Sequence, residues 1–158
     1  MNEYSIERIK HSQSQVFDDL FNQYQILRDD WSEEKTGTGY GDEGLYDNEP
    51  VIFISHTNYA EPTAVGFIRL YSVCASNQVT NSTIVEDLCV LPDHRKNGIA
   101  LKLIEAAVKF AIEKRSAFIR LETLQDNLIA RKLLESVGFI SQTSASKLNV
   151  YSIQFLSD

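Results

Sequence analysis

Apolar and polar positions alternate from Tyr4 to Ile9, which predicts a first strand. The spacing then changes: Val16, Phe17, Leu20, Phe21, Tyr24 and Leu27 recur as they would on the buried face of a helix. Periodicity is lost from Arg28 to Pro50. It resumes in two β-rich runs, Val51–Ser55 and Ala64–Val73, flanking the turn-forming stretch Asn58–Pro62, so a hairpin is expected. Ser82–Leu91 reads as a further strand, ended by Pro92. Gly98–Lys114 carries Ile99, Ala100, Leu103, Ile104, Ala107, Phe110 and Ala111 on one helical stripe. A short strand at Ala117–Glu122 follows, then a helix over Asn127–Val137 stopped by Gly138, then strands at Phe139–Ser141 and Val150–Leu156. Hairpins followed by strand–helix–strand–helix imply an α/β (α+β) fold, a mixed sheet with helices on its faces.

A chain of 158 residues suits one domain, and 43% hydrophobic against 23% charged residues is the balance of a packed globule. The net charge of -7 disfavours nucleic acid and anionic membrane as partners and favours a cationic one. No run approaches the roughly 20 apolar residues of a membrane span, and MNEYSIERIK lacks the apolar core of a signal peptide. Cys74 and Cys89 lie in apolar surroundings without metal-ligand spacing, so reduced buried thiols, no metal and a cytoplasmic location are expected.

Candidate chemistry concentrates in Val85–Ala111, a strand, a short basic loop and a helix start. His94, Arg95 and Lys96 place positive charge beside the helix, and Gly98 lets a ligand approach the backbone. The first helical turn adds unpaired N–H groups and the positive end of the dipole. Together these suit a pyrophosphate, although a capped helix with a solvated basic turn has the same spacing.

Arg95-Lys96-Asn97-Gly98-Ile99-Ala100 resembles the GNAT acetyltransferase pattern of Arg or Gln, two residues, Gly, one residue, Gly or Ala. It follows a strand and opens a long helix, as in that family. Asn127 to Phe139, with Asn127, Ala130 and Gly138-Phe139, is similar to the family's second motif. The two motifs and the strands between them cover Val85–Phe139. The resemblance implies a single GNAT-like domain with a mostly antiparallel sheet, a cofactor-binding core over 82–139, and acetyl-CoA as co-substrate. Leu88, Cys89 and Val90 would run beside the pantetheine. Arg95, Lys96, Asn97, Gly98, Ile99 and Ala100 would hold the pyrophosphate, Asn127 the pantetheine arm, and Arg131 the phosphates. Asn127 also suits a helix N-cap.

The expected reaction moves an acetyl group to a primary amine, which must lose a proton to something in the site. Glu86 is the candidate general base, four residues before Val90 and, by alternation, on the face of Leu88 and Val90; it also fits a structural or solvated role. Alternation turns Asp87 away. An oxyanion would meet a backbone N–H near Leu88 to Val90. The family's usual general-acid tyrosine falls at Leu134, which cannot donate a proton; water or Tyr151 could substitute. A catalytically weak acyl-CoA-binding sensor module is therefore the alternative. Family members often pair through their last strands, here Val150–Leu156, so the resemblance also implies a homodimer, which that segment alone does not show.

The stretch 29–49 holds eight acids against one Lys35, and four of the seven glycines. It lacks the strand–loop–helix setting and the Gly-Lys-Ser/Thr of a phosphate loop. It reads either as a solvated acidic loop or as an acceptor-side lid, with Glu33 and Glu34 attracting a small cationic amine and Trp31, Tyr40 and Tyr46 lining it. His11 and His56 have no evident partners in the sequence and are taken as structural or exposed.

Overall fold

A computed structural model describes residues 3–10, 15–29, 49–74, 81–142 and 147–155. Its elements are β1 (Tyr4–Lys10), α1 (Gln15–Asp29), β2 (Val51–Thr57), β3 (Ala64–Cys74), β4 (Asn81–Val90), α2 (Ile99–Glu113), β5 (Ser116–Leu124), α3 (Leu128–Val137), β6 (Ile140–Gln142) and β7 (Leu148–Gln154). One seven-stranded sheet runs β1-β2-β3-β4-β5-β7-β6. Every neighbouring pair is antiparallel except β4 with β5. The mixed, mostly antiparallel sheet flanked by helices is the expected architecture.

Strand alternation divides the core between the two sheet faces. On one face Ile52, Ile54, Phe67 and Cys89 pack against Phe17 and Leu20 of α1. On the other, Ile68, Leu70, Val85, Val90, Ile119 and Tyr151 meet α2 and α3. The predicted α2 stripe is the buried one: Ile99, Leu103, Ile104, Ala107, Phe110 and Ala111. Each of its large aliphatic or aromatic side chains contributes roughly 1.5–3 kcal/mol through removal from water. That burial anchors the helix whose first turn shapes the candidate site.

Two chain features end helices and turn strands as the sequence demands. Asn127 caps α3 by accepting a 3.1 Å hydrogen bond from the Ala130 N–H. Gly138 takes φ 104°, a left-handed conformation that lets the chain leave α3 for β6. The last strand starts two residues earlier than its pattern implied. β7 begins at Leu148 and lies between β5 and β6, so Val150 to Ser152 are paired on both sides. The sheet edge at this end is the three-residue β6, and the last strand offers a second copy no free edge along that stretch.

Candidate active site

β4 and β5 run parallel, but their pairing ends at Ile84↔Arg120. Beyond that point Val85 to Val90 pair only with β3, and Leu121 to Leu124 only with β7. The two strands splay, leaving one side of the β4 backbone without a ladder partner, next to Leu88, Cys89 and Val90. Backbone groups must be paired somewhere. A parallel strand that abandons its neighbour in mid-sheet therefore prepares an opening for an extended, amide-bearing ligand.

The loop Arg95–Gly98 stands directly after β4. Leu91 N–H donates to Val65 O at 2.8 Å, and Arg95 Nε donates to Val90 O at 2.9 Å, fixing the loop to the end of the strand. Asn97 Nδ2 reaches His94 O at 3.1 Å, Arg95 O at 3.3 Å and the Tyr4 hydroxyl at 3.4 Å. Lys96 and Gly98 take φ 63° and 75°. A left-handed lysine is unusual, and it curls the loop over the start of α2. Gly98 is the residue before the helix; no side chain caps the helix, and no heavy atom lies within 4 Å of a Cβ built on Gly98. Uncapped N–H groups of Ile99 and Ala100, a bare glycine and Arg95-Lys96 make a site that suits an anion. The residues present thus fit a pyrophosphate-bearing co-substrate.

Glu86 is not where alternation put it. Arg69 faces Asp87 and Leu70 faces Val85, so Glu86 is the extra residue of a bulge in β4. The bulge changes the parity of the strand. Val85, Leu88 and Val90 lie toward α2, whereas Glu86 and Asp87 both turn to Arg69 on the α1 side. The Arg69 Nη2 is 3.2 Å from Glu86 Oε2 and also meets Asp87 Oδ2, to which Nε donates at 2.8 Å. The guanidinium carbon stands 4.7 Å from the centre of the Phe21 ring. Tyr71 also bonds Glu86, and burial, with Arg69 opposing, pushes its phenol above the ordinary value of 10.0. The phenol therefore keeps its proton and donates it. The two carboxylates assigned to opposite faces converge on one cation.

Cys89 is buried in the α1-side core beside the splay. Burial pushes its thiol up to about 11, so it is an inert packing group, as its apolar setting implied. Leu134 is buried in the α2–α3 core. Tyr151 is fully buried and its hydroxyl is already used: it accepts from Arg131 Nε at 3.0 Å and donates to Glu135 at 3.3 Å. A substitute proton donor would have to leave that pair, which corrects the expectation for Tyr151. Arg131 Nη1 also donates to Gln125 O at 3.0 Å, so its guanidinium is committed to Tyr151 of β7 and to the β5–α3 turn. Asn127 is the helix cap already described. His56 meets Glu7 at 3.6 Å. Trp31, Glu33, Glu34, Tyr40 and Tyr46, with the expected acceptor-side loop, lie outside the described residues, as does His11.

Sequence reasoning missed Arg69, Tyr71 and the charged pair Arg120 and Glu122. The last two are 3.4 Å apart on β5. Ile119 and Leu121 point into the α2-side core, which places Arg120 and Glu122 on the α1 side, the side of Glu86. The available signal was a lone arginine in the apolar run Phe67-Ile68-Arg69-Leu70, since a cation in a central strand needs a partner.

A splayed parallel strand pair, a glycine loop and an uncapped helix are features that suit an acyl-CoA acyltransferase. The model of the acetyltransferase (GNAT) family matches residues 15–139, and the chain belongs to that family. The chain is 29% identical over 139 residues to the uncharacterized N-acetyltransferase YhfO of Bacillus subtilis (strain 168), covering 88% of this chain and 91% of that one. Among solved structures, the fold is similar to an aminoglycoside acetyltransferase from an uncultured soil metagenomic sample, with TM-score 0.70 and 19% identity over 92% of this chain and 93% of that one. It is also similar to NAA60 of Arabidopsis thaliana in complex with acetyl-CoA, with TM-score 0.62 and 16% identity over 94% and 96% of the two chains.

Proposed function

We propose that this acetyltransferase moves the acetyl group of acetyl-CoA to a primary amine by direct attack on the thioester. The observation that carries the reading is the parting of β4 from β5 beyond Ile84, immediately before the loop Arg95–Ala100. The co-substrate's pyrophosphate is assigned to that loop and the α2 N-terminus, and its pantetheine to the open side of Leu88, Cys89 and Val90. The cofactor-binding core is then 82–139, in one domain.

The amine enters from the α1 side, where Glu86 stands. In the transfer, the amine nitrogen forms a bond to the thioester carbon and the carbon–sulfur bond breaks, releasing CoA thiolate. The proton lost by the amine passes to the Glu86 carboxylate, directly or through a water, and a backbone N–H near Leu88 to Val90 faces the developing oxyanion. Neither Leu134 nor Tyr151 supplies a proton to the thiolate. A thiolate with a pKa in the ordinary thiol range leaves without a dedicated acid.

The acceptor assigned here is a small cationic amine. The support is the net charge of -7 and the eight acids of 29–49, which raise the local concentration of a cation. The setting that follows is a cytoplasmic enzyme working without a metal, on a small molecule rather than on nucleic acid or membrane; a homodimer would leave Val150 to Ser152 paired within each sheet.

Release of free CoA from acetyl-CoA is the test, measured with spermidine, an aminoglycoside, lysine and a lysine peptide, for the wild type and Glu86→Gln. Turnover with spermidine or the aminoglycoside, lost in Glu86→Gln while acetyl-CoA still binds, supports the reading. Equal turnover in the variant contradicts the role of Glu86. One observation favours a second reading, an acyl-CoA-binding sensor: the buried Leu134 at the family's tyrosine position. Acetyl-CoA binding without turnover on any amine would select it.

A further inference from the structure

We propose that Arg69 is a positioning residue for catalysis: it aims Glu86 from the neighbouring strand and sets a cation against it. The inference rests on the reading of Glu86 as proton acceptor. Glu86 occupies the bulge of β4, at the break in register with β3. A glutamate there has a flexible side chain, yet a proton acceptor must be held within roughly 0.5 Å of its working position. Arg69 supplies the constraint. Asp87, with its side chain 3% exposed, holds the guanidinium from β4, and Phe21 covers its face from α1. The fork fixed in this way presents Nη2 to Glu86 at 3.2 Å. A planar guanidinium that gives two nitrogens to Asp87 Oδ2 and stacks on a ring has a defined direction that an ammonium lacks.

Arg69 has a second, electrostatic effect. A cation in contact with a carboxylate favours its ionised form, the form that accepts a proton. The charged or titratable groups on this side of the sheet include Tyr71 of β3, Asp87 and Cys89 of β4, and Arg120 and Glu122 of β5; α1 presents the Phe21 ring and the Tyr24 phenol to the same region. Asp87 opposes ionisation of Glu86, and Arg69 lies between the two carboxylates and offsets it. Tyr71 keeps its proton and donates to Glu86. Removing the guanidinium leaves two adjacent carboxylates, so Glu86 should then hold a proton at higher pH.

The experiment compares Arg69→Gln, Arg69→Lys and Glu86→Gln in the full chain, with spermidine as first acceptor and the other amines of the panel in turn. Folding is checked by circular dichroism and acetyl-CoA binding by thermal shift. Arg69→Gln should lower kcat by roughly 10- to 100-fold. It should also move the acid limb of kcat/KM upward by about one pH unit or more. Arg69→Lys should lower kcat and leave the acid limb in place, because charge is kept and the fork is lost. A loss in Glu86→Gln together with wild-type kcat and pH profile in Arg69→Gln overturns the role of Arg69 and leaves that of Glu86 standing. Wild-type turnover in Glu86→Gln overturns both. If Arg69→Gln does not fold, Arg69→Lys decides: lowered kcat supports the inference and wild-type kcat overturns it. If no amine turns over, the Glu86 carboxyl is titrated by carbon-13 NMR, and a midpoint in Arg69→Gln equal to that of the wild type overturns the inference.

Discussion

Gly66→Ala tests the packing that holds the co-substrate strand in place. Gly66 lies on β3 opposite Val90. A Cβ at Gly66 would stand 2.9 Å from the Cys89 carbonyl oxygen, 3.3 Å from Val90 Cγ2 and 3.4 Å from Ile99 Cγ2. The closest atom is backbone, so β3 and β4 must separate by roughly half an ångström, and the two side chains block a simple sideways escape. Overpacking of this kind costs about 1–3 kcal/mol. Replacing a strand glycine by alanine recovers about 0.5–1 kcal/mol of chain entropy. The net loss is roughly 0–2.5 kcal/mol, which for a domain of this size lowers Tm by up to about 10 °C. The displaced backbone is that of Cys89 and Val90, assigned to the pantetheine, so kcat/KM should fall by roughly tenfold as well. Thermal denaturation and CoA release measure the two effects. A Tm at or above wild type with unchanged kcat/KM would refute the packing argument.

Three further outcomes follow from the same geometry. Asn127→Ala removes the cap on the Ala130 N–H and should cost about 1 kcal/mol in denaturant unfolding; no loss would mean another group caps α3. Asp87→Ala strips the buried partner from Arg69 and should destabilise by roughly 3–5 kcal/mol, more than Glu86→Ala, whose carboxylate is 22% exposed against 3%; equal losses would contradict the ranking. Cys89 gives a pH dependence. Its thiol titrates at about 11 when folded and near 9.0 when unfolded, so the unfolded state releases its proton first as pH rises. Stability is full below about pH 9 and falls toward pH 11, by on the order of 2 kcal/mol, whereas Cys89→Ser should flatten that decline.

Periodicity revealed nearly every element because each buries a regular stripe: the α2 residues expected inside are inside except the half-buried Ala100, and strand ends moved by only a few positions. The phosphate-loop reading also depended on local features, Gly98 beside a helix start, which survive in one dimension. Glu86 was misplaced for a definite reason. Alternation assumes an unbroken ladder, and a bulge reverses parity beyond it without leaving a mark in the residues. Its meeting with Arg69 and Asp87 depends on cross-strand register, which pattern alone does not encode. The same holds for Tyr151, whose fully used hydroxyl is set by Arg131 and Glu135 across the β7–α3 contact. The place of β7 inside the sheet likewise follows from topology: the chain goes out to β6 before it returns beside β5.

The most direct test of the central claim is product formation. The wild-type chain is incubated with acetyl-CoA and spermidine, free CoA is followed with time, and the amine is weighed by mass spectrometry. The account predicts that CoA release matches, mole for mole, an amine heavier by one acetyl group, and that both cease in Glu86→Gln. Tight acetyl-CoA binding with no acetylated amine, from spermidine or any other member of the panel, would contradict it.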